Sequence, residues 1–224
     1  MGILPLGSGN DFALACGIPQ TPDTAWQALH SGKTQHVDIG EASDEHGNRR
    51  FWDNTLGIGF DARVNIRSRR IRRLRGYLIY LAAALQTILL DYHPMRLRFA
   101  SEAETWEEDA MMLALCNGQR EGGAFFLVPA ARPDDGVMGY ARLARVPRWR
   151  TVRALFKAMN GTHVTLPEIR LGNCVRAHIE SLRPLNVHTD GEIYLETRHD
   201  SHRLDICLHR AALEVAGGTV EGGR

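Results

Sequence analysis

Apolar positions change their spacing twice along this chain, and the changes divide it. Ile3 to Leu6 reads as the end of a strand, Gly7 to Asn10 as a tight turn, and Asp11 to Ala15 as a short helix stopped by Gly17 and Pro19. Thr21-Pro22-Asp23 supplies an N-cap, a proline at the first helical position and a first-turn acid for a second helix ending at Ser31-Gly32. One strand and two helices cannot cover a sheet on both faces, so residues 1–35 predict the remnant of an α/β unit. From His36 the texture is that of strands. "HVDIGEA" and "RFWDNTLGIGF" flank the polar turn "SDEHGN", and "MRLRF" alternates Met95, Leu97 and Phe99 with Arg96 and Arg98. "DAMMLALCNG" is a continuous apolar run, as expected of a strand buried on both faces. "VMGYARLARV", "CVRAHIESL", "LNVHTDGEIYLE" and "RLDICLHRAALEV" predict further strands separated by turn signals. Two helical segments interrupt them, Asp61 to Tyr92 and Pro147 to Met159, the second placing Trp149, Val152, Leu155, Phe156 and Met159 on roughly one face. The predicted class is α+β and mainly β: an α/β remnant at 1–35, a β-sandwich-like domain at 36–210, and a segment at 211–224 returning to the α/β part.

Composition narrows the function classes more than the fold. The chain has 224 residues, 44% hydrophobic and 24% charged, and a net charge of +1, which argues for a globular protein and against a nucleic-acid partner. Cys16, Cys116, Cys174 and Cys207 show no paired spacing and read as buried thiols of a reducing, cytoplasmic protein. Met1 leads into apolar residues without a basic leader, and the longest apolar run, Tyr77 to Leu90, is too short for a hydrocarbon core of about 30 Å. Locally the charge is not balanced. Six arginines lie between Arg67 and Arg75, either a solvated basic helix face or a contact for anionic lipid head groups at the inner membrane surface.

Three short motifs carry chemistry, and each also has a plain structural reading. Gly7-Ser8-Gly9-Asn10-Asp11 is a turn before a helix whose free N–H groups and Ser8 hydroxyl suit an anion. "RPDDGVMGY" is a turn in which Asp135 and nearby carbonyls can supply oxygen ligands to Mg²⁺. "HTDGEIYLE" places Asp190 and Glu192 at a turn, where a carboxylate can take a proton from a hydroxyl. His199 and His202 lack further ligands and read as surface residues.

In the order "ILPLGSGNDFALACGIP", "FWDNTLGIGFDARV", "NGQREGGAFFLVPAARPDDGVM" and "HTDGE", these segments resemble the catalytic-domain family of diacylglycerol kinases, bacterial soluble lipid kinases related to sphingosine kinases. The resemblance implies an N-terminal α/β nucleotide-binding domain similar to that of NAD kinases, then a β-sandwich on the lipid side. It implies ATP as substrate, contacted by Gly7, Ser8, Gly9, Asn10 and Asp11, with Ser8 standing where the family has threonine. It implies a structural Mg²⁺ held by Asp135 with the backbone of Arg132 and Val137. Glu192 becomes the general base on a lipid hydroxyl, and Asp190 orients the site or helps hold a catalytic Mg²⁺. The expected partners are a diacylglycerol-like lipid or sphingoid base and a peripheral membrane surface.

Two departures qualify the resemblance. Gly122-Gly123-Ala124-Phe125 alters the family's glycine-rich run. The family's Gly-Gly-Asp-Gly-Thr phosphate motif, expected upstream of the Gly7 turn, is absent, so the sequence reads as a truncated kinase with little or no activity by itself. A non-catalytic lipid-binding or regulatory module is the alternative, and a soluble-metabolite kinase related to NAD kinases a further one.

Overall fold

In the computed structural model, residues 1–7 and 9–218 are described; Ser8 and residues 219–224 lie outside them. The chain begins with helices α1 (Asp11–Ala15) and α2 (Pro22–Leu29) and strands β1 (Thr34–Asp44), β2 (Arg49–Trp52) and β3 (Thr55–Gly59). Helices α3 (Phe60–Ser68) and α4 (Tyr77–Leu90) follow, then strands β4 (Met95–Ser101), β5 (Thr105–Cys116), β6 (Arg120–Glu121), β7 (Phe125–Phe126) and β8 (Met138–Ala144). Helix α5 (Arg148–Ala158) precedes β9 (Ile169–Cys174), β10 (Arg176–Ser181), β11 (Val187–Thr189), β12 (Glu192–Leu195) and β13 (Arg203–Ala216). The architecture is mixed α/β, mostly strand, with a β-sandwich-like domain.

One antiparallel network joins β12, β11, β3, β5, β4, β10, β13, β1 and β2 in that order, with β8 and β9 branching from β5. Long strands make the curl possible. The first half of β5 pairs with β4 and its second half with β3, while β8 runs along its other edge. Strict alternation then sends Leu113 and Leu115 into the main core with Trp52, Leu56, Ile58, Leu97, Phe99 and Tyr140. Met112, Ala114 and Cys116 face the opposite side, against residues 125–131 and the helices. The continuous apolar run is therefore buried on both faces. In the core Phe99 stacks on Trp106 at 5.0 Å between centroids, a contact of about 0.5–1.5 kcal/mol beyond area burial. Trp52 lies flat over Gly40, where any Cβ would overlap its indole.

Several elements differ from the sequence expectation, each for a physical reason. The segment Asp61 to Tyr92 is two helices, separated at 69–76, where Gly76 takes φ 59 ahead of α4. The arginines from Arg69 to Arg75 thus lie in a connection and form no helix face. "RFWDNTLGIGF" is two strands broken at Asp53-Asn54. Strand β9 was not foreseen. On α5 the buried residues are Thr151, Ala154 and Ala158, while Trp149 and Phe156 point outward, because the small residues let the helix approach the sheet. The boundary drawn at 35/36 falls inside β1, and the boundary at 210/211 inside β13. These two strands pair from Thr34 opposite Ala216 to Asp44 opposite Leu204. The ends at Val37, Leu213 and Val215 pack with Ala13, Cys16, Ile18 and Ala25, so one long ribbon reaches from the main core to the N-terminal helices. Cys16, Cys116 and Cys174 are buried free thiols and Cys207 is half-buried. Among the described residues no helix is long and apolar enough to cross a membrane.

Candidate active site

The Asp190-Gly191 turn joins β11 to β12 with φ 50 and 79, the positive values that a two-residue hairpin of type I′ requires. Its aspartate does more than turn the chain. Oδ1 accepts the N–H groups of Asn54 and Thr55 and Oδ2 that of Asp53, each at 2.9 Å, and the Asp190 N–H returns to the Thr55 carbonyl at 2.8 Å. This clamp is why β2 and β3 separate at Asp53-Asn54: their backbone donors are spent on a side chain, not on a neighbouring strand. Burial pushes the Asp190 carboxyl up while the three N–H groups and His188 pull it down, with a net rise. Burial and the Asp190 charge together hold Asp53 up at about 7.

Thr55 carries the network onward. Its hydroxyl donates to Glu121 Oε2 at 3.0 Å. Glu121 Oε1 and Asp61 Oδ2 each lie 3.2 Å from Nε2 of the fully buried His188. Gly57 permits this grouping, since a Cβ there would strike both the imidazole and the Asp61 carboxylate. Burial and Asp61 push Glu121 up to about 8, against the pull of His188. For His188, burial favours the neutral ring, but Glu121 and Asp61 outweigh it and leave the imidazole at about 9. The direction for His188 follows from two carboxylates at one nitrogen.

Both shifts lie above the unfolded values, so between those values the native state holds more protons, and stability falls as pH rises. The His188 contribution is complete below about pH 6.5 and is lost as pH passes about 9; keeping Glu121 protonated opposes folding increasingly from about pH 4.5 to 8. Melting followed by circular dichroism is expected to give a lower midpoint at pH 9.5 than at pH 6.5, and a smaller difference for His188→Gln. Equal differences in both proteins would remove the cluster from the account.

Glu121 ends the short strand β6, and the N-terminal turn pins that segment. Asp11 Oδ1 accepts from Arg120 Nε at 3.1 Å and Oδ2 from the Gly123 N–H at 2.9 Å. Burial raises the Asp11 carboxyl despite these donors. Asn10, left-handed at φ 54, closes the Gly7 turn on itself through its amide, taking the Gly7 N–H and donating to the Gly7 carbonyl. Ser8 lies outside the described residues. Glu192 begins β12, with its side chain 70% exposed and 3.1 Å from Arg50. The turn beside it packs on α3, where Asn65 approaches Gly191 and Arg69 donates to the Gly191 carbonyl.

The Asp135 turn stands elsewhere, against β1. Asp38 sits at a bulge between Val37 and Ile39, and its carboxylate accepts the N–H groups of Gly136 and Ala211, both at 2.7 Å. Ala211 has φ 49, so the left-handed residue on β13 turns its N–H toward the bulge. Asp135 accepts from Val137 N–H at 3.1 Å, and Arg132 pairs with Asp134. Burial, with Asp38 and Asp134 adding repulsion, raises the Asp135 carboxyl. Both Asp38 oxygens are taken by backbone N–H groups and Asp135 Oδ1 by Val137, so a cation at this turn would draw on the remaining oxygen of Asp135.

An apolar cleft adjoins Glu121 and Asp61. It lies between α3, α4 and α5 on one side and β5, β8 and the 122–127 segment on the other. Phe60, Val64, Tyr80, Met112, Leu127 and Leu155 line its walls, and Asp61, Asn65 and Glu121 supply polar atoms. Asn65 Oδ1 is buried without a hydrogen-bond partner among the described residues, as are Asn54 Oδ1, Asn117 Oδ1 and His188 Nδ1 nearby in the network. The site is an apolar slot with a charged side, and Asn65 on its wall packs near Gly191 of the β11–β12 hairpin.

The sequence reading placed Asp190, Glu192 and Asp11 in one neighbourhood through distant segments, and the geometry links Asp190 to Asp11 through Thr55 and the 120–123 loop. It missed Asp38, Asp53, Asp61, Glu121 and His188. Asp61 and His188 stood inside quoted motifs, but the signal was spatial: three groups 60 or more residues apart meet over one glycine. His199 and His202 serve local turns, His199 receiving the Glu196 N–H and His202 contacting Ser181 and Asp200.

Comparisons with known proteins agree on one family. A profile described as the YegS C-terminal NAD kinase beta sandwich-like domain matches residues 54–202, and one for the diacylglycerol kinase catalytic domain matches residues 1–42. A Mycobacterium tuberculosis protein named diacylglycerol kinase is 28% identical over 194 residues, 86% of this chain and 62% of that protein. A Pseudomonas aeruginosa protein named as a YegS-like lipid kinase is 31% identical over 194 residues, 86% of this chain and 61% of its own length. The chain thus spans about three-fifths of these curated relatives. A crystal structure of a diacylglycerol kinase from Bacillus anthracis superposes with a TM-score of 0.64 at 18% identity, covering 93% of this chain and 63% of that one. Another structure from that organism gives 0.72 at 21% identity, covering 95% and 67%.

Proposed function

The chain belongs to the diacylglycerol kinase family, with a YegS-type C-terminal domain, and on that premise we propose that it serves ATP-dependent phosphorylation of a lipid hydroxyl. The observation that carries this reading is the apolar cleft ending beside Asp61 and Glu121, which suits an acyl chain with a polar head. The nucleotide lies toward the Gly7 to Asp11 turn. Asp11 holds the 120–123 loop between nucleotide and lipid, so that both reactants meet one fixed backbone.

Glu192 is the proposed base. Its carboxylate accepts the proton of the lipid O–H, the oxygen bonds to the γ-phosphorus of ATP, and the bond from that phosphorus to the bridging oxygen breaks to release ADP. Arg50 occupies the carboxylate at 3.1 Å and must yield for that transfer. Asp190 is a positioning residue, since its oxygens are engaged by three backbone donors. A Mg²⁺ held by Asp135, with the carbonyls of Arg132 and Val137, would neutralise the carboxylates of that turn and stiffen it against β1 and β13.

Filling the cleft tests the assignment. Ala154 is buried on its wall, and Ala154→Trp is expected to raise the lipid KM at least tenfold with the ATP KM unchanged. An unchanged lipid KM in a folded variant places the lipid elsewhere. The relatives' names, not a feature of the cleft, favour diacylglycerol over a sphingoid base.

A further inference from the structure

The Nε2 nitrogen of His188 carries at most one hydrogen, yet two carboxylate oxygens stand equally close to it. Asp61 Oδ2 and Glu121 Oε1 are each 3.2 Å away, and the three atoms all lie within 4.8 Å of one another. A hydrogen on Nε2 points along one of these lines and leaves the other carboxylate without it. A metal ion serves all three atoms at once. Ligand atoms held about 2.1 Å from an ion, at angles of about 90–109°, stand roughly 3.0–3.4 Å apart, a range that contains both distances to Nε2. The charges point the same way. Among the described residues no arginine or lysine lies within ion-pair distance of Asp61 or Glu121, and His188 is the basic group that meets both. Without a metal, this group reaches neutrality by holding two protons, one on His188 and one on Glu121; a single divalent ion replaces both.

The fold fixes these donors from behind and leaves one side open. His188 lies opposite Gly57 where β11 pairs with β3, and the missing Cβ at Gly57 admits the imidazole and the Asp61 carboxylate together. Thr55 Oγ1 donates to Glu121 Oε2 at 3.0 Å, which occupies that oxygen and leaves Oε1 toward the imidazole. His188 is fully buried, whereas Asp61 and Glu121 line the cleft. Asn65 adds a further oxygen. It follows Asp61 by one turn of α3, lines the same cleft and is 3% exposed, and its Oδ1 has no hydrogen-bond partner among the described residues. The donor types select the class of ion. Mg²⁺ and Ca²⁺ favour shells made of oxygen, whereas an imidazole with two carboxylates suits Mn²⁺, Fe²⁺ or Zn²⁺.

We infer that Asp61, Glu121 and His188 form a binding site for a divalent first-row transition ion, separate from the Asp135 turn, with Asn65 as a further oxygen donor and an open position toward the cleft. At that position the ion would take an oxygen of the molecule in the cleft and polarise it as a Lewis acid. The test needs neither lipid nor ATP. The chain is stripped with a chelator and given Mn²⁺ alone, and pulsed electron paramagnetic resonance is expected to show modulation from an imidazole nitrogen. Zn²⁺ is expected to displace that signal, and Asp135→Ala to keep it. His188→Gln is expected to remove the nitrogen modulation and to weaken Mn²⁺ binding, measured by calorimetry, by about tenfold or more. Should His188→Gln not fold, Glu121→Gln keeps the size of the side chain and an acceptor for Thr55, and is expected to weaken binding to a similar degree. A parent spectrum without nitrogen modulation, or either variant folded with the parent's affinity, would overturn the inference and leave the cluster holding protons alone. Such a result would not touch the assignment of the cleft, which Ala154→Trp tests through the lipid KM.

Discussion

Replacing Asp190 with alanine is expected to lower the melting temperature by about 10 °C or more. The carboxylate accepts the N–H groups of Asp53, Asn54 and Thr55, and its loss leaves these donors without a partner where β2 and β3 part. At about 1–3 kcal/mol for each unsatisfied donor of the buried residues Asn54 and Thr55, and less for the exposed Asp53 N–H, the loss is about 3–5 kcal/mol, and each kcal/mol moves the midpoint by about 2–4 °C in a chain of this size. Alanine at φ 50 adds a conformational penalty that glycine avoids. Asp190→Gly therefore isolates the hydrogen bonds and should still destabilise strongly. Asp190→Asn retains an acceptor oxygen and tolerates the left-handed backbone, so its loss should be about half. Thermal melts of the three variants check the ordering; a neutral Asp190→Gly would mean that the carboxylate does not hold the strand break.

Glu192→Gln is expected to give the opposite profile. The side chain is 70% exposed and its one ion pair, with Arg50, lies at the surface, where such pairs contribute about 0–1 kcal/mol. Stability should change by less than about 1 kcal/mol. Transfer to lipid, in a preparation that has it, should fall by about 10²–10⁴, the range of general-base contributions, with little change in lipid or ATP KM. Raising the pH should restore part of the rate if loss of the base is the cause. A Glu192→Gln rate within a factor of three of the parent assigns the proton acceptor to another group, and the Asp61, Glu121 and His188 cluster is the nearest alternative in the fold.

The contrast between these two carboxylates shows what was legible in the sequence. "HTDGE" gave a hairpin turn with two acids, and the turn is there with both positive φ values. Nothing in the pentapeptide distinguishes the clamp from the free acid, because the partners of Asp190 lie more than 130 residues away. The strands of the sandwich were readable because alternation is local, as in "MRLRF", and so was the doubly buried β5. The α5 face was misread because periodicity alone gives larger residues to the core, whereas the packing of α5 over the cleft selects Ala154 and Ala158. The arginine run was read as helical until Gly76 and its positive φ separated α3 from α4. The triad of Asp61, Glu121 and His188 depends on α3, β6 and β11 meeting beside Gly57 of β3, a tertiary arrangement that no short motif encodes.

Transfer of radiolabelled phosphate from [γ-³²P]ATP into chloroform-extractable product tests the central claim most directly. The acceptor panel is a diacylglycerol, a sphingoid base and a water-soluble dinucleotide, presented with Mg²⁺ to a preparation of the protein. The account predicts label in a lipid product, reduced by Ala154→Trp and nearly abolished by Glu192→Gln. Label in the soluble acceptor, or lipid labelling indifferent to both substitutions, would contradict it.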